Sequence, residues 1–224
     1  MAFFTDRVDA GKRLASALKH FSGKKGIVLS IPRGGVVVGF MIAKALKLPL
    51  DVIIPRKLGA PDNAELAIGA VAEDGTAILD NNLIRYLGVS REYIKEETER
   101  QKQEIGRRLK LYRQDASYPN LEGLDVIVVD DGIATGSTMK AALVSVKSRG
   151  ATSLTVAVPV GPPSTIEELE EIADRVVCLN TPEFFQAIGE FYTDFSQTSD
   201  EEVIELMRQN KRSLEKKSEG MVVA

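Results

Sequence analysis

The 224-residue chain has no tryptophan, one cysteine (Cys178) and one histidine (His20). A lone thiol excludes an intramolecular disulfide and suits a reducing compartment. One histidine beside one cysteine is poor material for cysteine catalysis, so Cys178 reads as a buried structural residue. Charge excess is also missing: 29 Lys and Arg stand against 32 Asp and Glu, a net charge of -3. No overall basic field therefore draws in nucleic acid or an anionic membrane. No apolar run approaches the ~18 residues of a membrane span, and "MAFFTDRVDAGKRL" lacks the uninterrupted apolar stretch of a secretory leader. A soluble, cytoplasmic protein is expected. With 44% hydrophobic and 27% charged residues, the composition is that of a globular chain able to bury a sizeable core in one domain, residues 1–224.

What is present alternates. Asp6 to Phe21 is compatible with an amphipathic helix through Val8, Leu14, Leu18 and Phe21. "GIVLSI" (Gly26–Ile31) is a short continuous apolar run, as expected of a strand buried on both faces. A helix from Val36 to Leu46 and a strand from Asp51 to Pro55 complete a strand-helix-strand unit, which implies a parallel pair. Arg56 to Asp80 mixes turn residues with a strand at Ile68–Ala72 and a hairpin turn at Glu73-Asp74-Gly75-Thr76 before Ala77–Leu79; its "GAPDN" part reads as mobile. Ser90 caps a long polar helix reaching about Arg113, with Ile94, Thr98, Gln101, Ile105, Leu109 and Tyr112 on one face and with Glu96–Arg100 and Glu104–Arg108 as i,i+4 pairs. Arg107, Arg108, Lys110 and Arg113 are interrupted by glutamates and read as a solvated face, not a nucleic-acid arm.

Strands at Asp125–Val129, Ser153–Pro159 and Arg175–Leu179 then alternate with helices at Gly136–Lys147 and Thr165–Ala173. A charged helix from Ser199 to Lys217 closes the pattern, and "EGMVVA" carries no signal. The fold class is α/β, a doubly wound, mostly parallel sheet flanked by helices.

In such a sheet ligands bind beyond the carboxyl ends of the strands. "VIVVDDGIATGST" (Val126–Thr138) places Asp130 and Asp131 there, followed by Gly132, Ala134, Thr135, Gly136, Ser137 and Thr138 at the start of a helix. Free backbone N–H groups and the helix dipole at that point favour a phosphate, and the hydroxyls add donors. A plain turn-and-cap reading accounts for one acid and one glycine but not for two acids and three hydroxyls. A triphosphate P-loop would need a lysine where Ser137 stands, and the Gly-x-Gly-x-x-Gly dinucleotide pattern is absent. A sugar phosphate fits both halves, since carboxylates accept from vicinal hydroxyls while the loop takes the phosphate. "SIPRGGVVVG" (Ser30–Gly39) supplies a second anion site through Arg33, Gly34 and Gly35.

The stretch Val126–Thr138 resembles the signature of the type I phosphoribosyltransferases, which bind 5-phosphoribosyl-1-pyrophosphate (PRPP). That resemblance implies a small hood and a flexible catalytic loop beside the main sheet, and magnesium carried by PRPP or pyrophosphate, with no metal held by the protein alone. It assigns Asp130 and Asp131 to the ribose hydroxyls, Ala134–Thr138 to the 5-phosphate, and Arg33-Gly34-Gly35 to the pyrophosphate. Arg56 and Lys57 would be catalytic with the acidic pair, stabilising the leaving group; a solvated basic pair is the alternative. The lid and long helix would occupy about 58–115, and the hood about 180 onward with the C-terminal helix. With "RKLGAPDNAELAIGAVAEDG" and "FYTDFSQTSDEEV", the chain also looks like the bacterial and archaeal group called predicted phosphoribosyltransferases.

The implied partners are PRPP and a nucleobase-like acceptor; a homodimer stays open. Members acting on 6-oxopurines usually carry an aspartate where Ala134 stands, whereas adenine-type members have Ala-Thr-Gly, so the acceptor is undecided. Phe184, Phe185, Phe191, Tyr192 and Phe195 could stack on a base or pack a core. A PRPP- or nucleotide-binding regulator with the same fold and a sugar-phosphate hydrolase are the competing functions.

Overall fold

The computed structural model describes residues 3–113 and 118–222. In chain order its elements are α1 (Arg7–Ala17), β1 (Gly26–Ser30), α2 (Gly34–Leu46), β2 (Leu50–Val52), β3 (Arg56–Ala60), β4 (Asn63–Val71), β5 (Ala77–Leu79), α3 (Asn81–Leu87), α4 (Arg91–Arg113), β6 (Asp125–Val129), α5 (Ser137–Lys147), β7 (Ser153–Val160), α6 (Pro163–Glu170), β8 (Arg175–Asn180) and α7 (Asp200–Val222). The main sheet runs β2-β1-β6-β7-β8 with every neighbouring pair parallel, as the alternation of strands and helices requires.

Both faces of this sheet are buried, which explains its uninterrupted apolar strands. Val28, Ile127 and Val129 pack with Leu14, Leu18, Ile42 and Leu46 of α1, the turn after it and α2. Leu29, Val126 and Val128 point the other way, onto Leu143 and Val146 of α5 and Leu169 of α6. At the β2 edge, buried Asn210 of α7 satisfies backbone groups that no further strand pairs: Leu50 N–H donates to its Oδ1 (2.9 Å) and its Nδ2 donates to Leu48 O (3.1 Å).

A second sheet, β3-β4-β5, is antiparallel and packs between α4 and α5. Its β4–β5 turn is the expected Glu73–Thr76 hairpin, with Ala72 N–H donating to Thr76 O at 2.8 Å and Gly75 at φ 86°. In the "GAPDN" stretch Pro61 and Asp62 form a turn, as their residue types favour, while Gly59 and Ala60 end β3 and Asn63 opens β4, with Tyr93 Oη donating to Gly59 O at 3.0 Å. The strands on either side of that turn are what the sequence did not show, because Gly59 and Asn63 carry little strand preference and packing against α4 decides. Helix α3 was also unforeseen; Asp80 caps it by accepting from the N–H groups of Asn82 and Leu83.

Smaller differences follow the same logic. α1 stops at Ala17 and a 3-10 turn continues to Phe21, α2 already includes Gly34 and Gly35, and α6 spans Pro163–Glu170. Glu104–Arg108 pairs at 2.8 Å as expected, but Arg100 turns to buried Glu97 at 2.6 Å instead of to Glu96.

A buried charge cluster ties the small sheet to the main one. Glu73, its side chain 3% exposed, lies 3.5 Å from Arg113 Nη1 and 3.6 Å from Arg149 Nη2. Arg113 also pairs with Asp51 at 2.9 Å and donates to Val52 O at 2.5 Å, and both guanidinium groups lie over the Tyr118 ring. Removing one partner from a buried ionic group leaves uncompensated charge. Arg113→Met should therefore cost about 3–5 kcal/mol in urea unfolding. Burial pushes Glu73 up from its ordinary 4.5 to about 7, against the pull of Arg113 and Arg149. A carboxyl raised by folding contributes stability below its ordinary value and loses it as pH rises through the folded value. Wild-type stability should thus fall relative to Glu73→Gln between pH 4.5 and about 7, and a constant difference across that range would refute the assignment.

Candidate functional site

β1 and β6 are neighbours in register from Gly26 opposite Asp125 to Ser30 opposite Val129. From their carboxyl ends the chain departs in opposite directions, from β1 to β2 on one side and from β6 to β7 on the other. This is the switch point at which an open parallel sheet leaves a crevice, and both loops singled out in the sequence meet there.

The meeting is close. An added Cβ on Gly34 would lie 1.9 Å from Asp131 Oδ2, and one on Gly35 would lie 2.9 Å from the Asp130 Cα. Glycine is required at 34 because the carboxylate of the facing loop occupies the side-chain position. Arg33 is the residue before α2, the Pro32–Arg33 peptide is cis, and its guanidinium reaches Asp200 at the start of α7 at 3.9 Å.

The acidic pair is polarised by its surroundings. Asp131 N–H donates to Asp130 Oδ1 at 2.8 Å. Burial, and then the adjacent charge of Asp131, hold Asp130 well above the usual carboxylate range. Asp131 instead receives a cation: Arg7 Nε donates to its Oδ2 at 2.7 Å, with the two side chains 12% and 14% exposed. Tyr192 Oη donates to the Asp131 carbonyl at 2.6 Å.

Beyond the acids, Gly132 admits Ile188, whose Cγ2 would be 2.4 Å from a Cβ there. Ile133 N–H donates to Val160 O at 2.9 Å, and Thr165 Oγ1 of α6 donates to Ala134 O at 2.8 Å, fixing the loop backbone. Ala134 and Thr135 are exposed, Ser137 and Thr138 half-exposed, and Gly136 precedes α5 with no side-chain cap. The first amides of α5 are thus not taken by a capping side chain, and the Thr135 and Ser137 hydroxyls lie 3.3 Å apart beside them.

Arg33, Gly34, Gly35, Asp130, Asp131, Gly132 and 134–138 therefore share one end of the sheet. Arg56 and Lys57 are placed differently. They are neighbours on β3 and project to opposite faces of it. Arg56 Nε donates to Gln101 Oε1 of α4 at 2.9 Å, and burial with nearby Arg108 lowers its pKa.

Sequence reasoning missed Arg7 and the anchoring role of Thr165. Arg7 left one trace: a cation in the first turn of a helix opposes the dipole, so a partner elsewhere was called for. Of the aromatic residues, Phe184 is 90% exposed, whereas Tyr192 is buried against Phe4 and Phe195, and Phe185 stacks on Phe191 at 5.5 Å. Cys178 is only partly buried; its thiol, pushed up to about 11 by burial, donates to Asn180 O. Among the described residues no group of three or more His, Cys, Asp or Glu is gathered for a metal, and no helix is long and apolar enough to cross a membrane.

The phosphoribosyl transferase domain pattern matches residues 6–196. A Mycobacterium tuberculosis protein provisionally named phosphoribosyl transferase is 44% identical over 204 residues, which is 91% of this chain and 46% of that protein. The chain thus spans about half the length of the curated relatives it matches. Among solved structures, TT1426 from Thermus thermophilus is 41% identical with a TM-score of 0.80, covering 93% of this chain and 99% of that one.

The Gly34 contact gives a direct check. Gly34→Ala should force Asp131 and Arg7 apart and lower stability by about 1–3 kcal/mol, as overpacking does; chemical denaturation and a structure of the variant would show it, and an unmoved carboxylate would contradict it.

Proposed function

Because the chain belongs to the phosphoribosyl transferase domain family, we propose that it transfers the 5-phosphoribosyl group from PRPP to a nitrogen acceptor, a nucleobase or similar amine, releasing pyrophosphate. The observation that carries this reading is the contact of two anion-binding loops across an acidic pair at the switch point of the sheet.

In this reading the amides and hydroxyls of 134–138 hold the 5-phosphate, and Asp130 and Asp131 accept from the ribose hydroxyls. Arg33 and the open backbone of Gly34 and Gly35 take the pyrophosphate. The bond from the anomeric carbon to pyrophosphate breaks with its electron pair leaving on the phosphate oxygen, while the acceptor nitrogen bonds to that carbon and gives up a proton. Positive charge developing on the sugar is favoured by the adjacent carboxylates, so positioning and electrostatics supply the catalysis.

The donor set fits magnesium that arrives on the substrate: Asp130 and Asp131 offer hard carboxylate oxygens, among the described residues no group of three or more such ligands is gathered, and magnesium commonly keeps waters and substrate phosphates as ligands. Bound there, it would neutralise charge on the leaving pyrophosphate. Arg56 and Lys57, on the small sheet, would stabilise the leaving group, Arg56 after release from Gln101. Ala134 carries no acid or base, so the acceptor's proton leaves by another route. The same alanine favours a second reading, a PRPP-binding regulator in the cytoplasm that turns over little.

Protein, magnesium and PRPP incubated with a panel of nucleobases and amines should release pyrophosphate only when the right acceptor is present. Release without acceptor would mean a hydrolase, and tight PRPP binding with no release would mean the regulator. Asp130→Asn with Asp131→Asn should abolish PRPP binding or turnover in a folded protein, and unchanged kinetics would refute their assignment. Arg33→Ala should weaken pyrophosphate binding by about tenfold or more, the worth of a charge-assisted hydrogen bond.

A further inference from the structure

Arg7 lies outside every segment that the sequence marked as a site, yet it touches three of them. Its Nε donates to Asp131 Oδ2 at 2.7 Å, its Nη1 donates to Ser196 O at 2.7 Å, and its guanidinium carbon lies 3.9 Å from the centroid of the Phe195 ring. A Cβ on Gly34 would come within 2.5 Å of its Nε. One guanidinium thus abuts the Arg33-Gly34-Gly35 loop, the acidic pair and the 191–198 segment.

That segment is held by an aromatic cluster, in which Tyr192 is buried with Phe4, Ala10 and Val160. It is paired to the N-terminal residues, with Phe3 and Phe4 N–H groups donating to Phe191 O, Thr193 N–H to Phe4 O and Asp194 N–H to Thr5 O. Toward the acid loop it places the Tyr192 hydroxyl on the Asp131 carbonyl, and the neighbouring Ile188 packs against Gly132. Arg7 sits in the first turn of α1, where the dipole disfavours a cation. Hydrogen bonds to the Asp131 carboxylate and the Ser196 carbonyl, with the Phe195 face, offset that cost.

The geometry points to Arg7 as a positioning residue that orients Asp131 toward the sugar hydroxyls and couples the occupancy of the acidic pair to the order of residues 191–198. The assignment rests on the transferase reading. A sugar engaging Asp131 strengthens or releases the Arg7 contact, and the same guanidinium transmits the change to Ser196. Lysine at this position restores the charge but not the planar fork that reaches both acceptors.

The test compares magnesium–PRPP with magnesium–pyrophosphate as calorimetric probes of the wild-type chain, Arg7→Gln and Arg7→Lys. Arg7→Gln should bind PRPP about tenfold or more weakly, the worth of a charge-assisted hydrogen bond, while keeping pyrophosphate affinity within about twofold. Arg7→Lys should recover part of the loss. In hydrogen exchange, PRPP should change protection across 191–198 in the wild type and leave it unchanged in Arg7→Gln. Equal losses for both probes would reduce Arg7 to a structural strut and overturn the assignment. So would unaltered PRPP binding, or a PRPP-dependent change in 191–198 that survives in Arg7→Gln. Wild-type protein that binds no PRPP would instead refute the transferase reading beneath it, an outcome distinct from an unaffected variant.

Discussion

The pairing of β1 with β6 is the constraint on which the site depends. Because the two strands stay in register from end to end, the loops that follow them emerge at one level. The crossovers then leave in opposite directions, which opens a crevice at that end of the sheet. The loops must therefore make their own contact, and they do so with the backbone of Gly34 and Gly35 lying on the side of Asp130 and Asp131. A side chain at Gly35 would meet the Asp130 backbone, and one at Gly34 the Asp131 carboxylate and the Arg7 guanidinium, so either would disturb the contact between the loops. The apolar strands, packed on both faces, hold that register and set the polar loops on a well-packed support.

Two adjacent acids at the end of a buried strand are electrostatically awkward, and the fold answers asymmetrically. Asp130 is left to burial and to its neighbour's charge, which raise it, while Asp131 is given Arg7. The pair then presents two unlike carboxyls where the sequence shows two identical letters. The same balancing recurs away from the site. Glu73, Asp51 and Asp74 are gathered with Arg113 and Arg149 where the small sheet joins the large one. Both clusters join segments distant along the chain.

Much of this was readable in advance. Period and punctuation disclosed the five parallel strands, the Ser90-capped helix and the Glu73–Thr76 turn, because each is determined by residues within a few positions of one another. The hairpin of β3 and β4 was not readable. Pro61 and Asp62 make the turn they favour, but Gly59, Asn63 and Gly69 have little local strand preference, and packing between α4 and α5 places them in strands. The Arg100 pairing failed for a related reason: Glu96 and Glu97 are both within reach of Arg100, and burial, which no local rule contains, selected Glu97. Arg56 and Lys57 looked like one basic pair, but on a strand adjacent residues point apart.

By itself the sequence determined an α/β chain with glycine-containing loops after two strands and an acidic pair in one of them, since alternation, glycine spacing and paired carboxylates are local properties. Only the tertiary structure decided that those loops touch, that Arg7 from the N-terminal helix clamps Asp131, and that Thr165 and Tyr192 anchor the loop backbone. Those contacts span from 31 to 124 positions of sequence, and their partners become neighbours only when the sheet closes its register and brings its carboxyl ends to one side.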